Sequence, residues 1–134
     1  MSSAAELQKA IFEALSANET LGSLVGDRIL DQAPANVGFP YITFGRSAVY
    51  DWSTGTEEGC EQLFTLHAWS KAKGKREVLA MIELARETLH DASLNLETHH
   101  LVNIRVEFSE ARYDDDLSVH HGVLRLRAVT EPAG

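Results

Sequence analysis

Leu7, Ile11 and Leu15, with Ala4 and Ala14, recur at helical spacing behind Ser3-Ala4-Ala5-Glu6, an S-x-x-E order that suits a capping box. The pattern predicts a first helix over 4–17 with one apolar face. Leu21, Leu24 and Val25, set between Gly22 and Gly26, read as a compact turn closing over that helix. Arg28-Ile29-Leu30 is a short strand at best, and 33–40, with Pro34, Gly38 and Pro40, is a loop. Pro40 then launches a strand over Tyr41-Ile42-Thr43-Phe44, whose first position needs no ladder N–H. Residues 47–59 are polar and glycine-punctuated, and predict a long loop carrying Tyr50 and Trp52.

From 61 to 69 the alternation is that of a strand, with Phe64, Leu66 and Ala68 on one face and Leu63, Thr65, His67 and Trp69 on the other. After the basic turn Lys71-Ala72-Lys73-Gly74-Lys75, the stripe Val78, Met81, Ile82, Ala85 and Leu89 predicts a second helix over 75–90. Leu94 and Leu96 suggest a short strand. Val102, Ile104, Val106 and Phe108 alternate with Asn103, Arg105, Glu107 and Ser109, the pattern of a strand with one wet face. Asp114-Asp115-Asp116 marks the turn before a return strand with Leu124, Leu126 and Ala128 inward and Arg125 and Arg127 outward. The tail Glu131-Pro132-Ala133-Gly134 is expected to fray. The order α-β-β-β-α-β-β-β predicts an α+β fold, a mainly antiparallel sheet with two helices packed on one face. Residues 1–134 are expected to form a single domain, since 134 residues leave room for little else.

Composition narrows the function classes. Hydrophobic residues at 44% and charged residues at 24% suit a globular chain and argue against wholesale disorder. No apolar run approaches the roughly 20 residues that cross a bilayer. The N-terminus lacks a basic n-region and an apolar h-region, so nothing suggests secretion, and a cytoplasmic site of synthesis fits best. Cys60 is the lone cysteine, which rules out an internal disulfide. With 20 acids against 12 bases and a net charge of -8, the chain is not expected to grip DNA, since phosphate neutralisation supplies most of such affinity. An acidic wall would still let a duplex slide past.

No group of residues in the sequence carries a recognisable catalytic or metal-binding signature. His99-His100 and His120-His121 are adjacent pairs, whose members point to opposite faces of a strand, and there is no His-x-x-x-His or Cys-x-x-Cys spacing. Convergence of histidines from different strands with His67 or Cys60 is the one metal reading left, and surface or interface imidazoles are the simpler one. Asp114-Asp115-Asp116 lacks the alternating ligands and distal Glu of a calcium loop. Cys60, with Glu61 beside it, has no nucleophile signature around it, and reads as a packing residue. Gly55-Thr56-Glu57-Glu58-Gly59 lacks the lysine of a phosphate loop. The cluster Lys71, Lys73, Lys75 and Arg76 could bind an anion but reads as a solvated turn. No enzyme, cofactor or metal is expected. Trp69 reads as partly buried core, while Tyr50 and Trp52 are candidate interface anchors.

Several stretches taken together resemble the tail-completion (tail-terminator) proteins of long-tailed phages, in the branch found in alphaproteobacterial gene transfer agents. They are Leu21 to Ile29, Phe39 to Ile42, Asp51-Trp52-Ser53-Thr54, Leu66 to Ser70 with Gly74 to Glu77, and His121 to Glu131. The ordered set covers nearly the whole chain. The resemblance implies an α+β sandwich and a hexameric ring that caps the tail tube and stops its growth. It also implies a surface presented to neck proteins, with DNA as passing cargo, in a virion or gene transfer agent particle. Its implied partners are further copies of the chain, the tail tube protein and head–tail connector or stopper proteins, with no membrane. Tyr50, Asp51, Trp52, Glu57, Glu58, Asp114, Asp115 and Asp116 are the expected interface residues, the acids facing either the lumen or a neighbour. A head–tail stopper or adaptor ring is the nearest alternative, and a small anion-binding module using Lys71 to Arg76 is the alternative from another class.

Overall fold

A computed structural model describes residues 1–133. Helix α1 spans Ser3–Ala17, and its N-cap is Ser2, whose Oγ accepts from the Ala5 N–H at 3.1 Å. The expected capping box at Ser3 is therefore not formed, because the Glu6 carboxylate turns to a distant partner described below. Leu7, Ala10, Ile11 and Leu15 make the buried stripe. Asn18 ends α1 and caps the next helix, its Oδ1 accepting from Leu21 N–H at 2.9 Å and its Nδ2 donating to Thr88 Oγ1. The segment expected to be a turn is thus a second helix, α2, Glu19–Val25, stopped at Gly26, where φ is 59°. A side-chain cap at one end and a positive-φ glycine at the other suffice for two turns of helix that carry too short a repeat to be recognised by period. With α3 at Arg76–Leu89 there are three helices among the described residues, not two.

Strands β1 (Ile29–Leu30), β2 (Tyr41–Asp51), β3 (Cys60–Ser70), β4 (His99–Asp114) and β5 (Val119–Pro132) form one sheet in the order β1-β2-β3-β5-β4. Every pairing is antiparallel except β1 on β2, which is parallel, so the sheet is mixed. Strand β2 runs on to Asp51, leaving only 52–59 as its connection to β3, so residues 47–51 of the expected long loop are strand. Leu94 and Leu96 form no strand; they lie half-buried against the core in the stretch before β4. Nor does the tail fray as expected up to Ala133: Glu131 pairs with His100, Pro132 with His99, and Ala133 N–H donates to Thr98 O. Gly134 lies outside the described residues.

Register shifts in β4 between Leu101 and Asn103 and between Val106 and Phe108 change the alternation predicted there. Each inserts a residue with no direct partner, and a one-residue insertion swaps faces. Ile104 stays in the core, whereas Val102 is 47% and Phe108 38% exposed.

The core lies between the helices and one face of the sheet. It joins Leu7, Ile11 and Leu15 of α1 and Val78, Met81, Ile82 and Leu89 of α3 to Phe64 and Leu66 of β3 and Leu124, Leu126 and Ala128 of β5. Gly122 marks where α3 presses closest: a Cβ there would stand 2.6 Å from Ile82 Cδ1 and 3.0 Å from Val78 Cγ2. The helices' face of β5 is therefore the even-numbered one, and the odd-numbered residues look away from them.

Candidate functional site

The sheet face turned away from the helices is the largest feature the core does not use. Aromatic and imidazole rings stack along one end of it. Tyr41 of β2 lies 6.1 Å from Trp69 of β3, and Trp69 lies 4.0 Å from His121 of β5 with the planes only 5° apart. Trp69 Nε1–H donates to Thr43 Oγ1 at 3.0 Å. His67 Nδ1 and His121 Nε2 share a hydrogen bond at 2.8 Å. Burial holds both imidazoles below their usual pKa, so the neutral pair, one ring donating and one accepting, is favoured. Gly45 is necessary here because any Cβ would run into the His67 ring.

Toward the middle of this face a groove of about 550 Å³ opens between Arg46, Ala48 and Tyr50 of β2, Leu63 and Thr65 of β3, and Glu107 and Arg125 of β4 and β5. Arg125 lays its guanidinium over the Phe108 ring at 4.9 Å. Arg127 pairs with Glu61 at 2.9 Å, which holds that carboxyl below its usual range. Arg105 sits directly opposite Arg127 in the β4–β5 ladder. Among the described residues no carboxylate pairs with Arg46, Arg105 or Arg125.

The residues expected at an interface are dispersed. Tyr50 is 52% exposed and faces the groove. Trp52 is 41% exposed and lays one side of its ring over its own loop: a Cβ on Gly59 would come within 2.8 Å of the ring, and the Trp52 backbone N–H donates to Gly59 O. Asp51 Oδ1 accepts from Ser53 N–H at 2.8 Å, and the Ser53 side chain first, then this N–H, hold its carboxyl below the usual range. Glu57 and Glu58 stand exposed on the β2–β3 connection. Asp115 and Asp116 stand exposed at the β4–β5 turn, which Asp114 braces by accepting from Leu117 N–H at 3.0 Å. The two acidic groups lie at opposite ends of the sheet, since Asp51 pairs with Cys60 and Cys60 with Thr130, while Asp114 pairs with Val119. One copy does not bring them together.

The remaining candidates resolve into packing. Cys60 Sγ lies 3.0 Å from Thr130 Oγ1, which also accepts from Gln62 Nε2. Lys71 sits over the Phe39 ring at 4.5 Å, and Lys75 at the α3 N-cap makes no side-chain cap bond. His120 faces the helices and His121 the open side, as strand alternation requires. Among the described residues no three His, Cys, Asp or Glu side chains cluster as metal ligands would, and no helix is long and apolar enough to cross a membrane. Arg46, Leu63 and Arg125 were not picked out from the sequence as a group. The outward alternation of Leu63 and Arg125 was visible there, but the register that sets them beside Arg46 was not.

Comparison with known proteins places this fold. The family model described as Tail completion protein gp17 matches residues 9–131. The chain belongs to that family. Among solved structures it is similar to a chain in the virion of a native gene transfer agent (GTA) particle, at 27% identity and a TM-score of 0.88. That likeness covers 97% of this chain and 98% of the other. No curated protein matches by sequence. Tail completion proteins are structural tail components, and the open sheet face is this member's main candidate surface for assembly.

Proposed function

We propose that the chain is a ring-forming subunit of a phage-like or gene transfer agent particle that terminates the tail tube at its head-proximal end. The ring is a homo-oligomer, a hexamer by the family resemblance, with DNA passing through its lumen unbound. It meets the tail tube protein on one side and head–tail connector or stopper proteins on the other. The observation that carries this reading is the likeness to a chain of a GTA virion over 97% of this chain and 98% of that one. The fold's own features support it. A ring needs heterologous contacts, one patch meeting a different patch on the next copy. Here the groove side and the projecting hairpin turns are different surfaces of the same chain. Tyr50, Asp51, Trp52, Glu57, Glu58 and Asp114 to Asp116 belong to those surfaces on this proposal.

Loss of a terminator removes the stop on tube growth. Electron microscopy of particles from a deletion strain is expected to show tails of uncontrolled length that fail to join heads. Tails of normal, uniform length joined to heads would contradict the assignment.

A further inference from the structure

The middle of the open face is basic within a chain whose net charge is -8. Arg46, Arg105 and Arg125 lack carboxylate partners among the described residues, and Arg105 faces Arg127 directly across the ladder. Glu61 already supplies the counter-charge to Arg127, so the arginines left without a carboxylate partner at the groove, among the described residues, are Arg46 and Arg125. Within the groove Arg46 and Arg125 outnumber its one acid, Glu107, and border apolar surface from Ala48, Leu63 and the Tyr50 ring. A fitting occupant therefore carries carboxylates beside an apolar side chain.

The β4–β5 turn of the same chain has that composition. Asp115 and Asp116 are exposed, and Leu117 beside them is 60% exposed, among the most exposed large apolar side chains of the protein. The turn is pre-shaped by the Asp114 Oδ1 bond to Leu117 N–H and by Ser118 at φ 55°. A braced turn loses little further entropy on docking. The β2–β3 connection also offers acids, Glu57 and Glu58, but its one large apolar side chain, Trp52, is laid over Gly59.

We infer that the β4–β5 turn of one copy docks in the groove of the next, Asp115 and Asp116 meeting Arg46 and Arg125 and Leu117 entering beside Leu63. This rests on the ring reading and names the contact that would propagate it. The pairing is heterologous, because turn and groove are separate surfaces, so it repeats from copy to copy as a ring demands.

Ala48→Cys with Leu117→Cys, introduced into the chain and carried into particles, tests the contact. Oxidation is expected to give a ladder of disulfide-linked copies on a non-reducing gel, and neither single variant, each keeping Cys60, should do so. In parallel, Arg46→Glu with Arg125→Glu should lower incorporation into particles at least about tenfold. Adding Asp115→Lys and Asp116→Lys should restore it. Particles that contain several copies each but give no ladder, with no rescue by the charge swap, would overturn this contact and leave the ring intact. A single copy per tail would overturn both. Normal incorporation of the arginine variant with slowed DNA release would overturn the contact in favour of DNA on this face. If the cysteine pair does not fold, the charge swap decides alone, and failure to restore overturns the proposal.

Discussion

Glu6 gives its carboxylate to Thr98 and His99 rather than to its own helix terminus. It is 3% exposed, and accepts from Thr98 Oγ1 at 2.6 Å and from the Thr98 N–H at 2.5 Å, with His99 Nδ1 at 2.5 Å. The two Thr98 bonds are the main cause that lowers its pKa from 4.5 to about 2, against burial, with His99 adding to them. A carboxylate with a depressed folded pKa stabilises the fold above its unfolded pKa, and that contribution is lost as pH falls through 4.5 toward 2. Urea midpoints measured from pH 7 down to 2 should therefore fall on the acid side, less steeply for Glu6→Gln. Equal slopes in the two proteins would show that this latch does not contribute. Asp51 and Glu61 are shifted in the same direction and add to the slope. Nothing local in the sequence revealed the latch, because its partners lie 92 and 93 residues away. The S-x-x-E spacing pointed to the helix's own N-terminus, and tertiary partners outcompeted it.

Elements built on a steady period were legible, and those that break period were not. The stripes Leu7–Ile11–Leu15 and Val78–Met81–Ile82–Ala85–Leu89 yielded α1 and α3 to within a residue or so at each end. The alternation in 61–69 likewise yielded β3. Helix α2 is two turns long and contains Gly22, so no repeat could announce it. The parallel pairing of β1 with β2 is a non-local contact that two residues of strand cannot encode. In β4 the two bulges turn Val102 and Phe108 outward, while an unbroken alternation would bury both. That difference is measurable. Ile104→Ala, at 0% exposure, should cost about 2–5 kcal/mol in denaturant unfolding. Phe108→Ala, which removes only a partly exposed ring beneath Arg125, should cost about 1 kcal/mol or less. Comparable losses at both positions would restore the unbulged strand. The bulges also suit β4's place at the sheet edge, where an even 16-residue strand would invite unwanted pairing.

For the whole molecule, the layered α+β plan and its membership of a tail completion family follow from segments in order along the chain, so both were readable in one dimension. The candidate surface was readable only in part. Tyr50 stood out as an aromatic residue in a polar stretch, and it does face the open groove. Arg46 and Arg125 are 79 residues apart and meet only through the β2-β3-β5 register, which no local pattern contains. Trp52 lays one side of its ring on Gly59 within its own loop and still leaves 41% of its surface exposed. The acids expected to face the lumen or a neighbour are split between the two ends of the sheet. What unites these features is that the helices cover one face and leave the other open, with its stacked rings and with Arg46, Arg105 and Arg125, which have no carboxylate partner among the described residues. The direct test is the mass of the purified protein measured alone and then bound to isolated tail tubes. Closure of identical copies on the tube end predicts a bound mass near six times the 14.8 kDa chain, for the hexamer the family resemblance implies. A tube end that takes up one chain, or none, would contradict the account.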